Sequence, residues 1–216
     1  MILDTECNNV MNTYYRPIDY VIINSEKLHQ HLLKIVPPNQ FIYSTSLGIK
    51  DIDTVNKYSH NNIFVIDYMQ NNNNEYLKQL ININNIEVIC AELCIDNCPN
   101  RKQHYIAMSK MNAGIKLDPN ETTACIFKKS EENNFNSTLD KYLLSFSHAI
   151  DNKRIEELSE LGVQYFKISG RERSNILFFV FITYYLILPQ YRETAKKELL
   201  INAEKIKIKY NLVNHK

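Results

Sequence analysis

Short apolar, β-branched runs alternate with amphipathic segments along almost the whole chain, and this alternation limits the fold more than any other feature. Period-two or continuous apolar runs predict strands at 18–23, 41–46, 63–68, 88–93, 123–127, 142–146 and 165–169. Helical spacing fills the intervals at 25–36, 51–59, 74–82, 101–111 and 152–161, with Ser25 as an N-cap and Gly162 as a C-cap residue. A final helical region covers 174–210 and breaks near Pro189. Strands and helices alternating every ~20–25 residues build βαβ units, which assemble as a parallel sheet. Six or seven such units predict an α/β fold, a TIM-like parallel β/α barrel with C-terminal helices. A full eight-stranded barrel takes ~250 residues. At 216 residues the barrel is therefore expected to be incomplete or to have a degenerate first strand. No segment rich in Pro, Gly or Ser divides the chain. It reads as a single domain over 1–216, a barrel core at about 14–190 with a helical extension over 191–216.

Composition removes several classes of function. A net charge of +1 gives no field to draw in nucleic acid, so RNA contact would need a local basic patch. Only four glycines are present, and neither GxGxxG nor GxxxxGK[ST] occurs, which excludes the phosphate-cradling loops. The longest apolar run, 176–188, has 13 residues and is too short to span a bilayer. The first residues carry no basic or long apolar signal, so a cytoplasmic, reducing compartment is expected. There, five cysteines point to metal or redox chemistry before disulfides.

Three of those thiols recur at every fourth position in VICAELCIDNCPNRKQHY, residues 88–105: Cys90, Cys94 and Cys98. A thiol cluster beside ionisable groups at a strand end points to a metal or cofactor site. Alternation puts Cys90, Glu92 and, if the strand continues, Cys94 on one face. Cys94 and Cys98, four apart, fit one helical face or a tight loop around one centre. An iron–sulfur cluster needs about four thiolates or a substitute such as His. Zinc is the alternative, on four cysteines or on three with His104; plainly buried thiols are the third reading. On a helix begun near Pro99, Arg101 and His104 lie on one side, suited to an anion or a proton transfer, or simply to solvent. Glu92 fits an acid or base, a partner for Arg101 or Lys167, or a structural ion pair. Lys167, sharing a face with Tyr165 and Ser169, makes with Arg171 a basic corner for a carboxylate or phosphate; the alternative is an edge strand with Lys167 in solvent. Ser44, Thr45, Ser46 and Asp67 close other strands, as catalytic groups of barrels do. Ser147 and His148 point to opposite faces of a strand and make no nucleophile–base pair.

Two segments resemble a known family. ELCIDNCPNRKQHY, residues 92–105, is similar to the N-E-x-C-x-x-x-C-P-x-R-x-x-H-[YF] motif of the collagenase-like peptidase family, which includes anaerobic ubiquinone-hydroxylation and ribosomal-RNA-hydroxylation proteins. GVQYFKISGR, residues 162–171, resembles its G-[IV]-x-x-[FL]-K-I-x-G-R landmark, and the segments at 41–45 and 64–68 sit where the family has an S-T strand end and an L-D-Y strand. The likeness runs from about residue 18 to 191. It implies a TIM-like barrel and, as in the hydroxylation members, an oxygen-labile iron–sulfur (4Fe–4S) cluster on four cysteines. By position these are Cys94 and Cys98, Cys125 downstream, and Cys90 or Cys7. Ala91 departs from the family's Asn.

The resemblance and the thiols together lead to an iron–sulfur-dependent modifying enzyme, such as an oxygen-independent hydroxylase of a small aromatic or nucleobase (RNA) substrate. A peptidase is the alternative, though no HExxH helix is present. A non-catalytic cluster-carrying partner of a second barrel subunit is the third.

Overall fold

The computed structural model describes residues 11, 13, 15–16, 19–92, 94, 97–121, 143, 148–168 and 175–209. Apolar residues there form a five-stranded parallel sheet of β1 (Val21–Ile23), β2 (Phe41–Tyr43), β3 (Ile63–Val65), β4 (Ile86–Ile89) and β5 (Tyr165–Lys167), in the order β1-β2-β3-β4-β5. Register runs Ile22 to Ile42, Tyr43 to Phe64 and Val65 to Glu87. Each strand lies beside its predecessor in sequence, without the reversal of order that marks a doubly wound sheet. The helices are α1 (Glu26–Leu32), α2 (Ile52–Ser59), α3 (Asn74–Leu77), α4 (Arg101–Asn112), α5 (Asn152–Glu160), α6 (Asn175–Leu186) and α7 (Arg192–Lys209). This is a mixed α/β architecture, as the alternation predicts.

The strands are shorter than the apolar runs, because polar side chains capture the backbone at their ends. The Ser44 hydroxyl accepts from the Ser46 N–H at 3.2 Å and starts a 3₁₀ turn over Thr45–Leu47. Asp67 accepts from the Met69 N–H at 3.0 Å and starts another over Tyr68–Gln70. The expected strands at 41–46 and 63–68 therefore stop at Tyr43 and Val65. Within the expected 142–146 strand, Leu143 is described, and it is helical. The expected strand at 123–127 lies outside the described residues.

By internal contacts the chain divides into two compact units, Met1–Val88 with Leu158–Phe166, and Ile89–Glu157 with Lys167–Lys216. In the first, capping sets the helix starts. Ser25 accepts from Leu28 N–H at 3.3 Å and Asp51 from Thr54 N–H at 2.9 Å. Buried His29 on α1 meets Phe41, Tyr43 and Tyr58 edge-on, and its Nε2 lies 3.0 Å from the Tyr43 hydroxyl. Burial pushes the Tyr43 phenol up to about 12, with the Tyr58 and Glu26 charges adding to it. After α5, Gly162 N–H bonds Ser159 C=O and Val163 N–H bonds Leu158 C=O, both at 3.0 Å, which is the Schellman closure.

In the second unit Ala91, Leu143, Val180, Phe181 and Tyr184 form a buried core. Proline, which has no N–H to donate, ends the apolar run and starts a 3₁₀ turn at Pro189–Tyr191. Arg192 then lies over the Tyr184 ring at 4.1 Å and donates Nε to Ile187 C=O at 3.2 Å. Among the described residues no helix is long and apolar enough to cross a membrane.

Gly162 has φ +109°, and a Cβ there would meet Ile83 Cγ2 at 2.9 Å. Gly162→Ala is expected to lower stability by about 1–2 kcal/mol through left-handed strain and that contact. Urea unfolding checks it; an unchanged midpoint would show that the turn does not hold this conformation.

Candidate functional site

The candidate site grows from the end of β4. Cys90 N–H donates to Lys167 C=O at 2.9 Å, the last bond toward β5. The Cys90 carbonyl, which would carry the ladder on, instead accepts from Ile150 N–H at 2.9 Å and from the Tyr185 hydroxyl at 2.8 Å. The same hydroxyl lies 2.9 Å from Ile150 C=O, so its single hydrogen is shared between two carbonyls. The expected strand at 88–93 ends for this reason at Ile89, and Cys94 does not continue its face. Cys90 is 1% exposed and Ala91 is fully buried. Burial, with the Cys90 thiol as the next cause, holds the Tyr185 phenol well above the ordinary tyrosine range.

Half-buried Glu92 accepts from the Cys94 N–H through Oε1 at 3.1 Å. Asn97 takes the left-handed conformation, φ +48°, which Asn tolerates better than other side-chain-bearing residues. Cys98 C=O accepts from Arg101 N–H at 3.2 Å, and Asn100 C=O accepts from His104 N–H at 2.8 Å, starting α4. Cys94 and Cys98 are half-buried, and neither is in a disulfide. They are thus fixed from opposite sides, one by the strand end through Glu92 and the other by the helix start. The carboxyl ends of parallel strands are where α/β proteins bind ligands.

Arg101 and Tyr105, four apart on α4, form a pair. Arg101 Nε lies 3.4 Å from the Tyr105 hydroxyl and its guanidinium carbon 5.5 Å from the ring centroid. Burial raises the Tyr105 phenol first; Arg101 opposes this, while the Glu92 carboxylate and the Cys94 thiol reinforce it. Tyr105 therefore belongs to the site, although no chemistry was expected of it. The signal was its i, i+4 spacing from Arg101. His104 is half-buried on the same helix.

The remaining expected residues are placed separately. Lys167 is exposed on β5, and its carbonyl is what bonds Cys90. Arg171, Cys125, Cys7 and Ser147 lie outside the described residues, and His148 is buried. In the first unit, buried Asp67 lies 3.8 Å from Lys50 Nζ and serves the turn after β3. Among the described residues no three His, Cys, Asp or Glu side chains gather into a set able to hold a metal ion. Cys94 and Cys98 fit thiolate ligation by their exposure, whereas Cys90 is sealed in the apolar core. An iron–sulfur or zinc centre on this loop needs further donors, and Cys125, the downstream cysteine that the resemblance implies, lies outside the described residues. No family model matches the chain, and no curated protein or solved structure matches it.

Two outcomes are expected. Tyr185→Phe should cost about 1–2 kcal/mol, because the Cys90 and Ile150 carbonyls lose the hydroxyl donor they share. Chemical unfolding measures this, and an unchanged free energy would contradict the shared bond. For Tyr105 the folded phenol titrates above the unfolded value of about 10. The stability it contributes is present below that pH and lost as pH rises through the folded value. Phenolate absorption should show one fewer late-titrating tyrosine in Tyr105→Phe, and its alkaline unfolding should be shallower. A titration identical to that of the wild type would contradict the assignment.

Proposed function

We propose that this chain is an iron–sulfur-dependent modifying enzyme of the collagenase-like peptidase type, acting without oxygen on an aromatic or nucleobase substrate in a reducing, cytoplasmic setting. The observation that carries the reading is the pair of half-buried thiols outside any disulfide beyond β4, each held by a backbone hydrogen bond. Resemblance of residues 92–105 and 162–171 to the family motifs supports it. The sequential order of β1 to β5 supports the TIM-like barrel that the family implies, since each barrel strand lies beside its predecessor.

In this reading Cys94, Cys98 and Cys125 would hold the cluster. When bound, the cluster supplies one-electron chemistry. Arg101, stacked on Tyr105, presents a guanidinium that orients an anionic substrate group. His104, one turn into α4, moves a proton. Lys167 and Arg171 complete a basic corner for a carboxylate or phosphate. Cys90 contributes backbone bonds and packing, and its thiol is not a ligand.

The test is iron and sulfide content with a visible spectrum after anaerobic purification. Wild-type protein should be brown and bleach in air. Cys94→Ala, Cys98→Ala and Cys125→Ala should each lose most bound iron, while Cys90→Ala keeps it and loses roughly 1–2 kcal/mol of stability. Colourless wild-type protein after anaerobic reconstitution, or iron loss in Cys90→Ala equal to that in Cys94→Ala, overturns this assignment.

A further inference from the structure

Glu92 stands two residues before Cys94, at the exit of β4. Its Oε1 accepts from the Cys94 backbone N–H at 3.1 Å, closing a turn two residues long at the exit of β4. The residues before it are rigid. Cys90 is tied through both its amide and its carbonyl, and Ala91 is fully buried. Glu92 thus transmits the position of a fixed strand end to the amide of a half-buried cysteine. On the far side, the Arg101 N–H to Cys98 C=O bond and the left-handed Asn97 fix the second cysteine to α4.

We infer that Glu92 is a positioning residue, holding the Cys94 thiol in place through the Cys94 amide, and that its acceptor oxygen rather than its charge or its proton is what the site uses. An N–H needs only a lone pair to meet it, and the Gln amide oxygen offers one at nearly the same place. A carboxylate strengthens such a bond but is not required for it. A proton-transfer role, in contrast, requires the ionisable group itself. The importance of the thiol's position rests on the cluster reading given above; the hydrogen bond and its mechanical consequence do not.

Amide hydrogen exchange at Cys94 in iron-free, full-length protein tests this. Glu92→Met keeps the side-chain length and removes the acceptor, while Glu92→Gln keeps the acceptor and removes the charge. Exchange at Cys94 should accelerate about fivefold in Glu92→Met, the change expected for one hydrogen bond, and by less than about twofold in Glu92→Gln. Iron retained after a chelator challenge should follow the same order, low in Glu92→Met and rescued in Glu92→Gln. Equal acceleration in both variants makes the charge the operative feature and overturns the inference. So does an unchanged rate in Glu92→Met. If Glu92→Met does not fold, Glu92→Gln alone decides, since impaired exchange protection or iron retention in it contradicts the acceptor role. Wild-type protein that takes up no iron removes the cluster reading, and the exchange rates still decide the role of Glu92.

Discussion

The backbone of Cys90 is the constraint on which the second unit depends. Its N–H is spent on Lys167 C=O, and its C=O on Ile150 N–H and the Tyr185 hydroxyl. Three stretches far apart in sequence are thereby joined at one buried residue, and the next, Ala91, belongs to the apolar core with Leu143, Val180, Phe181 and Tyr184. Low dielectric strengthens such bonds and makes each of them expensive to leave unmade. A strand ending here cannot slide, so the loop that follows begins from a fixed point.

That fixed point explains why three evenly spaced cysteines are not equivalent. Cys90 lies on the inside of the tie and is sealed from solvent. Cys94 and Cys98 lie beyond it, half-buried and in no disulfide, each restrained by a backbone hydrogen bond. Arg101 and Tyr105 stand on the next helix with Glu92 within electrostatic reach of the phenol. Cationic, phenolic, carboxylate and thiol side chains thus follow one another in the stretch from Glu92 to Tyr105 beyond β4.

Much of the scaffold could be read from local sequence. Ser25 and Asp51 cap helices as short polar residues do, Arg101 starts a helix after Pro99, and Gly162 closes α5. These are local effects, decided within a few residues. Strand ends are not legible where side chains compete for the backbone, as Ser44 and Asp67 do, since apolar runs continue past them. The end of β4 was illegible for a different reason. It is set by Tyr185, 95 residues away, and by Ile150, and neither carries a signal near Cys90. Leu143, helical within the apolar run at 142–146, packs into the buried core. Tyr105 was within reach, but only its spacing from Arg101 marked it.

The central claim is that the anchored Cys94 and Cys98 thiols belong to an iron–sulfur centre. The most direct measurement is a Mössbauer spectrum of the full-length protein reconstituted with isotopically enriched iron under strict anaerobiosis. The account predicts the quadrupole doublet of a thiolate-ligated iron–sulfur cluster, absent from the double variant Cys94→Ala with Cys98→Ala. A spectrum of high-spin ferrous iron on oxygen and nitrogen ligands alone, or a cluster signal that persists in the double variant, would contradict it.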